Sequence, residues 1–156
     1  MDFQSTLRSG CFSLSLKSDT KDGVIREMID LLHAAGKIRD KNAAIKAVFE
    51  REKKMSTGMQ CGVAIPHGKT DTVDELLVAF ALKKEGVDFD AIDGQPSSIF
   101  VMTISSTNST GPHIQYLAEI SKLLDVPSIR ERILHVQNID ELISILCSEP
   151  FSVSQA

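Results

Sequence analysis

Two apolar runs restrict this chain more than any other feature. Residues 76–82 (LLVAFAL) and 98–104 (SIFVMTI) are nearly free of charge, and their length suits strands. A strand with one wet face would alternate apolar and polar residues. Near-continuous apolar runs mean central strands covered on both faces. Between them Asp93-Gly94 and Pro96 mark a turn region.

The rest of the chain supplies helices to cover those faces. Asp19 to Asp22 offer N-cap choices for a helix in which Val24, Ile25, Met28, Leu31, Leu32 and Ala35 recur at helical spacing, with Gly36 as its stop. Asp40 can cap a second helix with the stripe Ala44, Ile45, Val48 and Phe49, closed by Arg51, Glu52, Lys53 and Lys54. Downstream, a helix starting at His113 carries Ile114, Leu117, Ala118, Ser121 and Leu124 on one side. Pro127 opens a short helix with Ile129, Ile133 and Leu134, and residues 140–147 form a last one with Leu142, Ile143, Ile145 and Leu146. Residues 11–16 alternate apolar and polar, which predicts a short half-buried strand preceded by an N-terminal arm. Helices before and after paired strands give an α/β sandwich of helices on a central sheet.

A length of 156 residues fits one domain, here residues 1–150, with 151–156 as a frayed tail. The formal charge of −4 argues against general nucleic-acid binding, which calls for a basic face. No apolar run reaches the roughly 20 residues of a membrane span and no secretory leader opens the chain, so a cytoplasmic protein without direct membrane insertion is expected. Cys11, Cys61 and Cys147 are odd in number and scattered, which predicts free thiols.

The chemistry concentrates between Met55 and Lys69. A Gly-punctuated loop through Ser56, Thr57, Gly58 and Gly62 leads into Val63, Ala64 and Ile65, then into Pro66-His67-Gly68. Pro66 has a fixed φ and Gly68 a free one, so His67 is expected at the tip of a stiff turn, well placed to present an imidazole. A histidine near its ordinary pKa of about 6.5 stays largely neutral at neutral pH and can serve as nucleophile or proton carrier. Taken alone, it reads more simply as a strand-end residue of intermediate burial. Its neighbours alter that reading.

Thr57-Gly58, Gly62 and Ala64-Ile65-Pro66-His67-Gly68, preceded by Arg51-Glu52, resemble the phosphorylation-site segment of fructose/mannitol-type enzyme IIA domains of the bacterial phosphoenolpyruvate-dependent phosphotransferase system, including its nitrogen-regulatory branch. His113-Ile-Gln-Tyr-Leu-Ala-Glu-Ile looks like the family's second active-site histidine and its helix, and residues 87–96 resemble the linker between its central strands. The resemblance spans nearly the whole chain. It implies a central mixed β-sheet flanked by helices on both faces, in one type-2 enzyme IIA domain.

It also implies a phosphoryl relay in which HPr, or its nitrogen-branch relative, donates to Nε2 of His67. The group then passes to a cysteine of an enzyme IIB. Arg51 would grip two phosphoryl oxygens with its planar guanidinium; without the resemblance, it is a cation closing a helix. His113, at a helix N-terminus, would hydrogen-bond the phosphoryl group or hold the His67 tautomer; its simpler reading is a polar residue of a first turn. Ser56, Thr57 and the amides around Gly58 are candidate extra phosphoryl donors. No cofactor is implied. Many relatives carry an acid where this chain has Cys61, which is expected as a small buried thiol rather than a nucleophile. His33 and His135 are left outside the site.

Other readings of the same residues remain. Cys61, His67 and His113 suit zinc but lack a fourth ligand and a paired spacing, and the loop at Gly58 lacks the Gly-Lys-Ser/Thr ending of a phosphate loop. A nitrogen-regulatory module would keep His67 and use its phosphorylation to control docking to a regulatory target. The separate length and the 87–96 segment lean toward that branch. A relative that is never phosphorylated is a third possibility, against which Arg51, His67 and His113 stand together.

Overall fold

The protein is described here from a computed structural model covering residues 3–108 and 110–148. Its elements run α1 (Phe3–Arg8), β1 (Cys11–Ser13), α2 (Lys21–Ala34), α3 (Lys41–Lys54), β2 (Val63–Ala64), β3 (His67–Lys69), β4 (Leu77–Val87), β5 (Ser97–Ser105), α4 (Thr110–Leu124), α5 (Pro127–Leu134) and α6 (Ile139–Ser148). The segment 151–156, expected as a tail, lies outside the described residues.

The two apolar runs are the antiparallel centre of a five-stranded sheet ordered β1-β4-β5-β2, with β3 also on β5. β1 joins β4 in parallel, and β2 and β3 join β5 in parallel, so the sheet is mixed as expected. Strand periodicity then sorts the side chains. Leu77, Ala79, Ala81, Phe100, Met102 and Ile104 enter one core, against Val24, Ile25, Met28, Ile29 and Leu32 of α2 and Ala44 and Val48 of α3. Val78, Phe80, Leu82, Ile99 and Val101 enter the other, against Tyr116, Ile120 and Leu123 of α4, Ile129 and Ile133 of α5 and Leu142, Ile145 and Leu146 of α6. Helices therefore cover both faces. Each large apolar side chain so buried contributes about 1.5–3 kcal/mol.

Local signals place the helices. Thr20 Oγ1 accepts from the Gly23 amide at 3.1 Å and Asp40 Oδ1 from the Ala43 amide at 3.0 Å, capping α2 and α3; such caps contribute about 1 kcal/mol. Gly36, at φ 77°, ends α2 in the left-handed conformation.

Four details differ from the sequence reading. The expected N-terminal arm is α1, whose Leu7 is fully buried, whose Phe3 stacks on Tyr116 at 5.0 Å and whose Gln4 donates to the Cys147 carbonyl at 2.6 Å. The strand expected over 11–16 is regular only over Cys11–Ser13, though the Leu16 amide still donates to the Leu82 carbonyl of β4 at 3.0 Å. α4 begins at Thr110, so His113 sits inside its first turn rather than at its start. The Pro66-His67-Gly68 turn is instead the lead into β3, because His67, Gly68 and Lys69 align with Thr103, Ile104 and Ser105 of β5. Among the described residues no helix is long and apolar enough to cross a membrane.

Candidate functional site

β3 aims its side chains by the same alternation. His67 and Lys69 share the face of Thr103 and Ser105, while Gly68 turns to the opposite face. There α3 lies directly on it: a Cβ at Gly68 would come within 2.9 Å of the Ala47 carbonyl carbon and the Val48 nitrogen. Absence of a side chain at Gly68 therefore lets α3 close on β3, which brings Arg51, one turn beyond Ala47, alongside His67.

The result is a cleft of about 690 Å³ whose walls include Arg51, His67, Lys69, Thr107, His113 and Leu117. Lys46 and Lys54 add positive charge at its rim, opposed by Glu50 and Asp71. Cations surrounding an imidazole favour an anion at that imidazole.

The half-buried His67 ring is held by one bond. Its Nδ1 lies 2.9 Å from the Ile65 carbonyl oxygen. A carbonyl only accepts, so Nδ1 carries the proton and Nε2 keeps a bare lone pair. Burial lowers the His67 pKa below its ordinary value; the Ile65 bond and Glu52 oppose the shift, and Arg51 and Lys69 add to it. The ring is neutral at neutral pH.

His113 is held more tightly, at 1 % exposure. Its Nε2 is 2.7 Å from Thr103 Oγ1 and its Nδ1 2.8 Å from Ser105 Oγ. One hydroxyl accepts and the other donates, which satisfies a neutral ring in either tautomer. Burial, aided by His67 and Lys69, pushes its pKa down to about 4. The face of β5 that is apolar at Ile99 and Val101 thus becomes polar at Thr103 and Ser105, where α4 delivers an imidazole.

Of the residues singled out in the sequence, His67, Arg51 and His113 meet at the cleft. Arg51 donates from Nη1 to the Met55 carbonyl at 2.8 Å, closing the end of α3, and a guanidinium has further donors for an anion. The tautomer of His67 is set by Ile65 rather than by His113.

Ser56, Thr57 and Gly58, expected as extra phosphoryl donors, lie outside the cleft wall and bond elsewhere. Ser56 Oγ donates to the Phe89 carbonyl at 2.7 Å and receives the Gly58 amide at 3.0 Å. The Thr57 amide and hydroxyl donate to Glu52 at 2.7 and 2.6 Å. Cys61, expected as a buried thiol, is instead exposed, at φ 62°, with its amide bound to Asp93 Oδ2 at 2.9 Å. The turn at Cys61 and Gly62 points the thiol outward instead of into a core. Among the described residues no three His, Cys, Asp or Glu side chains come together to hold a metal ion.

Sequence reasoning gave no site role to Lys69, Thr103, Ser105, or the buried Glu52 and the Lys21 paired with it. A polar residue at every second position near the end of an otherwise apolar run, Thr103 and Ser105, was the available signal for the hydroxyls.

The family described as "Phosphoenolpyruvate-dependent sugar phosphotransferase system, EIIA 2" matches residues 5–149. A fructose-specific EIIA component from Haloferax volcanii is 38% identical over 81% of this chain and 82% of its own length. The fructose-specific EIIABC component of Bacillus subtilis is 35% identical over 94% of this chain, which spans only 23% of that protein. Among solved structures, the nitrogen regulatory protein IIA-Ntr of Neisseria meningitidis superimposes with a TM-score of 0.82 at 32% identity, covering 86% of this chain and 92% of its own. Mannitol enzyme IIA from Escherichia coli, solved in complex with phosphorylated mannitol enzyme IIB, gives 0.76 at 26% identity, covering 90% and 96%.

Proposed function

The chain belongs to the EIIA 2 family of the phosphoenolpyruvate-dependent sugar phosphotransferase system, and on that premise we propose that it is a cytoplasmic phosphoryl carrier whose acceptor is Nε2 of His67. The donor is the phosphohistidine of HPr or of its nitrogen-branch relative; the recipient is a cysteine thiolate of an enzyme IIB.

The observation that carries this reading is the bond from His67 Nδ1 to the Ile65 carbonyl, which leaves Nε2 unprotonated in a cleft walled by cations. In the first step the donor's P–N bond breaks as a bond from phosphorus to Nε2 forms. The donor ring recovers its lone pair, and the Nδ1 proton of His67 need not move. In the second step a sulfur–phosphorus bond forms and the Nε2–phosphorus bond breaks. Phosphoryl transfer of this kind depends on alignment and on charge stabilisation of the peripheral oxygens. Arg51 and Lys69 supply the charge. His113, with both nitrogens engaged by Thr103 and Ser105, supplies a fixed neutral wall beside the acceptor.

A second reading is favoured by the resemblance to IIA-Ntr at a TM-score of 0.82. The phosphoryl group would then stay on His67 and govern docking to a regulatory protein. Incubation with phosphoenolpyruvate, enzyme I and either carrier, followed by intact mass at non-acidic pH, tests the shared step. One acid-labile phosphoryl group is expected, and none with the His67→Ala variant. No uptake from either carrier would refute both readings. Onward transfer to an enzyme IIB separates the first from the second.

A further inference from the structure

Behind the cleft lies a carboxylate that the relay does not use. Glu52 is 8% exposed, and it accepts from the Thr57 amide at 2.7 Å, the Thr57 hydroxyl at 2.6 Å and Lys21 Nζ at 2.8 Å. Burial works against its charge, yet these donors hold its pKa below the usual carboxylate range. Lys21 is itself fixed, lying 5.1 Å over the Phe89 ring and 3.4 Å from Asp90 Oδ2.

The bonds beyond Thr57 lead to the imidazole. The Thr57 carbonyl accepts from the Ile65 amide at 3.0 Å, and the carbonyl of that same Ile65 accepts from His67 Nδ1 at 2.9 Å. A bridge between Gly58 and Ala64 keeps the two segments side by side. Glu52 also anchors the stretch that contains Met55, whose carbonyl holds Arg51 at 2.8 Å. One buried carboxylate thus grips the backbone on which both the His67 tautomer and the Arg51 position depend.

We propose that Glu52 is a positioning residue for phosphoryl transfer: by clamping Thr57 it fixes the Ile65 carbonyl that keeps His67 in the Nδ1-protonated form. This inference rests on the reading of His67 as acceptor. Glu52 touches no reacting atom and acts through Thr57 and Ile65. Without it the buried Thr57 amide loses its acceptor, and a segment held by several short bonds gains freedom to reorient.

Two variants separate the bond from the charge. Glu52→Gln and Glu52→Ala both remove the negative charge, but the Gln Oε1 still accepts from the Thr57 amide. The first readout is the tautomer of the unphosphorylated His67 ring in protein labelled with ¹⁵N-histidine. The wild type and Glu52→Gln are expected to show Nδ1–H alone, and Glu52→Ala a mixture. The second is single-turnover phosphoryl uptake. Glu52→Gln is expected within about threefold of wild type, and Glu52→Ala about tenfold slower at unchanged carrier KM. If Glu52→Ala does not fold, Thr57→Val removes the hydroxyl bond without stranding a charge, and a detectable second tautomer is expected there. A pure Nδ1–H ring in the folded Ala or Val variant overturns the proposal, as does a Gln variant as mixed as the Ala variant. Should the wild type take up no phosphoryl group, the acceptor reading fails while the tautomer comparison still decides the role of Glu52.

Discussion

The ring of His67 stands edge-on to that of His113, with centroids 5.7 Å apart and planes at 85°. Two cations this close in a cleft already lined by Arg51 and Lys69 would repel, and the fold keeps both rings neutral by burying them.

That arrangement fixes the direction of a pH effect on stability. The folded pKa of His113 is pushed down to about 4, while an unfolded histidine titrates near 6.5. Above that ordinary value neither state binds the proton and the fold keeps its full stability. As pH falls from about 6.5 to about 4 the unfolded chain takes up a proton that the folded chain refuses, and stability is lost; below both values the loss levels off. Urea unfolding should show a decrease on the order of 1–2 kcal/mol between pH 7 and pH 5 from this group. The slope should flatten in His113→Gln. An unchanged slope would mean that His113 is not the buried neutral ring described here.

Arg51→Lys keeps the charge and loses the fork. Arg51 holds the Met55 carbonyl with one η nitrogen, and a lysine ammonium cannot hold that carbonyl and two oxygens of an anion in the cleft together. Single-turnover uptake should slow by about tenfold to a hundredfold. A rate equal to wild type would remove Arg51 from the transfer step.

Gly68→Ala tests how the cleft is closed. The added Cβ would meet backbone atoms of Ala47 and Val48 at 2.9 Å, and backbone has little room to give. A loss of about 1–3 kcal/mol is expected by chemical denaturation. Gly111→Ala, where nothing lies within 4 Å, is the control, and its change should stay within about 1 kcal/mol of zero. Equal effects at the two positions would contradict the packing of α3 on β3.

The sequence shows its long-range plan and hides its short-range contacts. The runs at β4 and β5 announced strands buried on both faces because nearly every residue in them is apolar, and the residues of α2 repeat at helical spacing. α1 escaped because its short stretch buries only Leu7, and what holds it, Tyr116 and the Cys147 carbonyl, lies far along the chain. His67 looked like a turn residue from Pro66 and Gly68, and only the register with Thr103 makes it the first residue of β3. Arg51, His67 and His113 stood out only through the family resemblance of the segments that carry them, and all three line one cleft. The partners that orient them, the Ile65 carbonyl, Thr103, Ser105 and Glu52, are set by tertiary contacts that spacing does not encode.

The measurement closest to the central claim is ¹⁵N and ³¹P NMR of histidine-labelled protein after incubation with phosphoenolpyruvate, enzyme I and HPr or its nitrogen-branch relative. Phosphorus coupled to Nε2 of His67, with Nδ1 still protonated and the His113 resonances retaining neutral-ring shifts, is the predicted result. Phosphorus on Nδ1 of His67, or on His113, would contradict the account.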